Sequence, residues 1–146
     1  MIIKGKLIKC KREKKEFEKG REAEGLFVTL AEVELSDKKK KELEDAFKDA
    51  GKKFTPAWIK EFEGYVNLKT QYPLPYRNVE GAEFDSIEKG IEEGLKWMNA
   101  EVKVSINVKE GAIYPNAIVF LTEGTAFNAF GEFDNEEEDW YILSRN

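Results

Sequence analysis

Apolar positions along this chain recur at two periods, and the changes of period mark its elements. Residues 2–11 interleave Ile2, Ile3, Leu7 and Ile8 with Lys4, Lys6, Lys9 and Lys11. That alternation predicts a strand, with Gly5 as the place for a bulge. The next stretch, "KREKKEFEKGREAEG", is polar and glycine-bounded, and reads as an exposed hairpin loop. "GLFVTLAEVEL" (25–35) returns to β-formers, with Ala31, Val33 and Leu35 alternating against Glu32 and Glu34. The period then lengthens. Ser36 has the chemistry of a helix N-cap, and Leu43, Ala46, Phe47 and Ala50 fall on one helical face before Gly51. Thr55 and Pro56 repeat the start signal for a short helix carrying Trp58, Ile59 and Phe62.

Period 2 resumes in "EGYVNLKTQYPLPYR" (63–77). Tyr65, Asn67, Lys69 and Gln71 take one face, and Val66, Leu68, Thr70 and Tyr72 the other, until Pro73 and Pro75 end the strand. Residues 78–85 read as loop. "DSIEKGIEEGLKWM" opens with an Asp-x-x-Glu capping pattern and places Ile87, Ile91, Leu95 and Met98 on one stripe. Gly90 and Gly94 each weaken that helix by about 1 kcal/mol. "EVKVSINVK" (101–109) alternates cleanly, with Val102, Val104, Ile106 and Val108 inward and Lys103, Ser105, Asn107 and Lys109 outward. "NAIVFLT" (116–122) is a continuous apolar strand, and Phe127, Phe130 and Phe133 follow at intervals of three. About five strands with helical insertions predict a mainly β fold, either an OB-like five-stranded barrel or an α+β sandwich.

Composition narrows the function classes. There are 146 residues, room for one domain with a real core. No apolar run approaches the length of a membrane span, and the N-terminus lacks a signal-peptide core. Cys10 is the single cysteine, which excludes an intrachain disulfide and points to a reducing compartment. With no histidine, Ser-His and Cys-His pairs and His-ligated metals are excluded. The net charge of -5 is unevenly spread. Residues 132–146 hold six acids and one base, leaving 23 of each sign before them; residues 1–21 carry nine bases and three acids. The expected division is therefore a domain over 1–131 and an acidic tail over 132–146.

Two ingredients bind single-stranded nucleic acid without sequence preference: cations for phosphates and aromatic faces for bases. Tyr65, Asn67 and Lys69 bring both to one strand face. Lys103, Ser105, Asn107 and Lys109 on a second strand, and Lys4 and Lys6, or Lys9 and Lys11, on a third extend this row of donors, while Tyr76 and Arg77 stand past the strand end. In the tail, Glu136, Glu137, Glu138, Asp139 and Trp140 suit a basic pocket of a partner protein or the chain's own basic groove. The enzymatic alternative is a metal-dependent nuclease using carboxylates among Glu61, Glu63, Glu80, Glu83, Asp85, Glu92 and Glu93, whose spacing is not diagnostic. Glycine-rich phosphate loops are absent, and no cofactor, resident metal or catalytic residue is assigned.

Three blocks carry a family resemblance: "GYVNLKTQYPLPY", "NAEVKVSINVKEGAIYPNAIVFLTEG" and "FGEFDNEEEDW". In them the chain resembles the OB-fold single-stranded DNA-binding proteins of tailed bacteriophages. The resemblance implies a non-enzymatic, cytoplasmic protein of a bacterium or a phage-infected host that coats single-stranded DNA during replication or recombination and contacts partner proteins through its tail. It places Tyr65, Lys69, Tyr72 and Tyr76 in or beside the DNA groove, with Lys103 on the neighbouring strand. Two departures stand out: "WYILSRN" continues past the acids, and the helix over 36–50 is an insertion. A protein-interaction module without nucleic acid remains the alternative, and homodimerisation stays open.

Overall fold

The N-terminal alternation runs on well past its last apolar residue. In the computed structural model, which describes residues 1–18, 21–49, 64–109 and 112–125, and only the backbone at 15–18, 21–23, 109 and 112, β1 spans Ile2–Glu18 and β2 spans Arg21–Ala31. The two pair antiparallel from Lys6↔Ala31 to Glu18↔Arg21. The segment expected to be a hairpin loop is thus a two-stranded ribbon. Its residues are almost all polar, so its ladder leaves no trace in hydrophobic period. The register slips between Leu7 and Lys9, which makes Ile8 the bulged residue. Gly5, the expected bulge, serves a close approach instead: a Cβ there would lie 2.7 Å from Cγ2 of Val33.

β2 ends at Ala31 because Glu32 turns to a positive φ of 52°. Val33 is still buried, its N–H donating to Gly64 O. Helix α1 covers Asp37–Asp49, with Ser36 Oγ accepting from Lys39 N–H, and buries Leu43 and Phe47 as the period predicts. The signals at Gly51 and at 55–62 lie outside the described residues, as do Phe127, Phe130, Phe133 and the whole of 132–146.

β3 (Val66–Thr70) shows the expected inward Val66, Leu68 and Thr70. It stops there, and Tyr72 is exposed, not inward. Two short strands then appear inside residues read as strand end and loop: β4 (Tyr76–Arg77) and β5 (Glu83–Phe84), joined by a turn in which Asn78 Oδ1 accepts from Ala82 N–H. Helix α2 is only Ile87–Glu92. Its cap is Ser86, not Asp85, and Gly94 at φ 96° ends it, so Leu95 and Met98 lie past the helix. β6 (Glu101–Lys109) matches expectation, and β7 runs Ala112–Phe120, four residues earlier than its apolar run suggests.

Among the described residues these strands form one seven-stranded sheet in the order β3-β2-β1-β6-β7-β4-β5. All neighbours are antiparallel except β4 and β7. The fold is mainly β, as expected, but the strand count and closure differ from a five-stranded barrel: no ladder joins the two edges, β3 and β5, among the described residues. The sheet curls instead, bringing Cα atoms of β3 within 8 Å of β7. Inside the curl lies one core of Ile3, Leu7, Leu26, Val28, Leu30, Leu68, Val104 and Ile118, all nearly inaccessible. Each such side chain contributes about 1.5–3 kcal/mol through burial. No helix among the described residues is long and apolar enough to cross a membrane.

Candidate nucleic-acid interface

The curl creates a cleft of about 540 Å³ where the end of β3 faces the β6–β7 hairpin. Lys69, Thr70, Gln71, Tyr72 and Pro73 form one wall, and Asn107, Tyr114, Pro115 and Asn116 the other. Each wall has a local cause. On the first, Thr70 is buried, and its Oγ1 accepts the N–H of Tyr72, turning the chain out so that Tyr72 is 77% exposed. On the second, Asn107 pairs with Tyr114, Ile106 with Pro115 and Ser105 with Ala117, which leaves Asn116 as an extra residue. A bulge tolerates the missing N–H of proline and re-aims its neighbours. Pro115 is therefore buried, while Asn116 is exposed and Tyr114 half-buried. Two Tyr-Pro steps, 72–73 and 114–115, thus meet across the cleft.

Beyond the cleft the outer face of β3, β2 and β1 continues the polar surface. The register sets Lys69 opposite Phe27 and Lys11, and Asn67 opposite Thr29 and Lys9. Thr29 Oγ1 donates to Asn67 Oδ1 at 2.8 Å. Lys9 Nζ is 5.9 Å above the Phe27 ring and 2.8 Å from Glu13 Oε1. Tyr65, 58% exposed, stands just before β3.

The other sequence-predicted residues separate into three groups. Lys4 and Lys103 pair directly across the β1–β6 ladder, both exposed, neither with a salt-bridge partner among the described residues. Like charges held opposite each other destabilise a sheet, so an anionic ligand would relieve a cost already present in the fold. Lys6 pairs with Glu101 across the ladder and shares with Lys4 a groove that Glu32, Glu34 and Glu101 also line, so acids stand near both lysines. Arg77 shares the outer row of Lys4 and Lys103 but is bonded to Glu83 at 2.6 Å.

Tyr76 is a correction to the expected groove. It is 7% exposed, stacked on Phe84 at 4.9 Å and edge-on to Phe120 at 5.8 Å. Its ring packs on Gly90, where a Cβ would come within 2.8 Å of two ring carbons. Burial first, then the charge of Glu93, raises its phenol pKa. A base cannot stack on it. The tail residues Glu136, Glu137, Glu138, Asp139 and Trp140 lie outside the described residues. Sequence reasoning missed Tyr114 and Asn116 altogether; the recurring Tyr-Pro step was the available signal.

The geometry is that of a mainly β, curled sheet with an aromatic and carboxamide cleft next to a lysine-bearing face. No family model matches the chain. No curated protein sequence matches it either. Among solved structures it is similar to the single-stranded DNA-binding protein from bacteriophage Enc34, with a TM-score of 0.45 and 14% identity over 88% of this chain and 84% of that one. Likeness at that level transfers no residue roles.

Proposed function

We propose that this protein binds single-stranded DNA with little sequence preference, in the cleft between β3 and the β6–β7 hairpin and along the lysine-bearing outer face. The observation that carries this reading is the cleft itself. Tyr72 and Tyr114 line it from opposite walls, neither stacked on another described ring, with Lys69 beside them. Aromatic rings not stacked within the protein, next to a cation, are what unpaired bases and their phosphates require, each stacked base contributing on the order of 1–3 kcal/mol. A duplex buries its base faces and has no use for such a cleft. The OB-like character of the fold, a coating role in phage-type replication or recombination, and partner binding through the acidic tail belong to the same proposal.

The test is a gel shift of a labelled single-stranded oligonucleotide at low salt, with duplex competitor and with EDTA. The proposal expects a shift that duplex does not compete away and an oligonucleotide that stays intact. Absence of a shift, or preference for duplex, contradicts it. Cleavage abolished by EDTA would favour the nuclease alternative.

A further inference from the structure

Three carboxamides line the same cleft as the two tyrosines: Gln71, Asn107 and Asn116. All three are exposed, and none has a side-chain hydrogen-bond partner among the described residues. Elsewhere on the surface the fold does engage such groups, as with Asn67 to Thr29 and Asn78 to Ala82. Phosphates alone would be served by lysines, whereas a carboxamide presents a donor and an acceptor side by side. That pair matches the edge of a nucleobase, which also offers a donor next to an acceptor. An exposed carboxamide can rotate by half a turn and exchange the two, so it fits either order.

We propose, resting on the single-stranded DNA reading, that the cleft takes an unstacked base against Tyr72 or Tyr114 and holds its Watson–Crick edge with Gln71, Asn107 and Asn116. The subsite registers that an edge is unpaired, not which base carries it. Discrimination against duplex then has a second source besides stacking, because in a duplex that edge is already occupied. Sequence tolerance follows from the rotatable amides.

The experiment compares fluorescence-anisotropy binding of a thymidine oligonucleotide with one of the same length made of N3-methylthymidine. The methylated bases keep their charge and stacking faces but lose the edge donor. At equal salt the wild-type protein should bind the methylated strand at least about tenfold more weakly. The N107A/N116A variant should bind both strands alike, near the weaker value, and Q71A, which alters no strand, should reduce the ratio. Equal binding of the two strands by the wild type overturns the inference while leaving the single-stranded DNA reading intact. Failure of the unmethylated strand to bind overturns both.

Discussion

Three tyrosines within twelve residues meet three environments, and the backbone decides which. Tyr65 precedes a strand whose alternate residues are buried, so its ring faces out. Tyr72 follows the point where Thr70 caps the turn, and Tyr76 enters β4 beside Phe84 and Phe120. Tyr76→Ala should therefore cost about 3–5 kcal/mol in urea unfolding, the range for deleting a large buried ring. Tyr65→Ala should change stability by less than about 0.5 kcal/mol and weaken DNA binding; if it unfolds the chain, the faces of β3 have been assigned backwards. The alternation that separates Tyr65 from Val66 is legible in the sequence. The inward turn of Tyr76 is not, because it depends on pairing with β7, more than forty residues away. Cys10 offers a second check at this scale. Burial, then the charge of Glu88, pushes its thiol from an ordinary 9.0 up to about 12. A raised folded-state pKa contributes stability that is fully present below pH 9 and lost as pH rises toward 12. Unfolding free energies measured from pH 8 to 11 should fall more steeply for the wild type than for Cys10→Ala, and a thiol reagent should label Cys10 only on unfolding.

At the scale of elements, the β1–β2 ribbon is the part composition hid. Past Arg12↔Leu26 it pairs with no third strand among the described residues, since β3 pairs no further than Leu26↔Thr70. What ties its base down is Arg12, which bonds Glu88 of α2 twice, at 2.9 and 2.6 Å. Both side chains are less than a third exposed, so solvent screens the pair less than at an open surface. Glu88→Ala should cost about 1–3 kcal/mol and speed amide exchange in residues 9–14, whereas an unchanged exchange pattern would mean that the ladder alone holds the ribbon. The pairing of Arg12 with Glu88 lies beyond sequence reading, because the two are 76 positions apart. By contrast β6, the N-cap of α1 and the buried pair Leu43 and Phe47 follow from period and cap chemistry. β4 and β5, two residues each, are too short to carry a period at all.

For the whole molecule, charge and shape make separate statements. The acids of residues 132–146 oppose any polyanion, so deleting them should leave single-stranded DNA binding unchanged or tighter; clear weakening would make the tail part of the binding unit. Lysine contacts with phosphates should make affinity fall linearly on a log–log plot against salt, and Lys4→Ala with Lys103→Ala should flatten that slope. The cleft was half legible: Lys69 and Tyr72 stand out in one crowded segment, while Tyr114 and Asn116 needed a bulge and a curled sheet to reach them. Binding of single-stranded DNA as proposed requires unpaired bases to lie in that cleft. Photocrosslinking a 5-iododeoxyuridine oligonucleotide to the intact protein, with the attached residues mapped by mass spectrometry, reads this directly. Crosslinks at Tyr72 and Tyr114 are predicted; crosslinks that avoid both and gather on another surface would contradict the account.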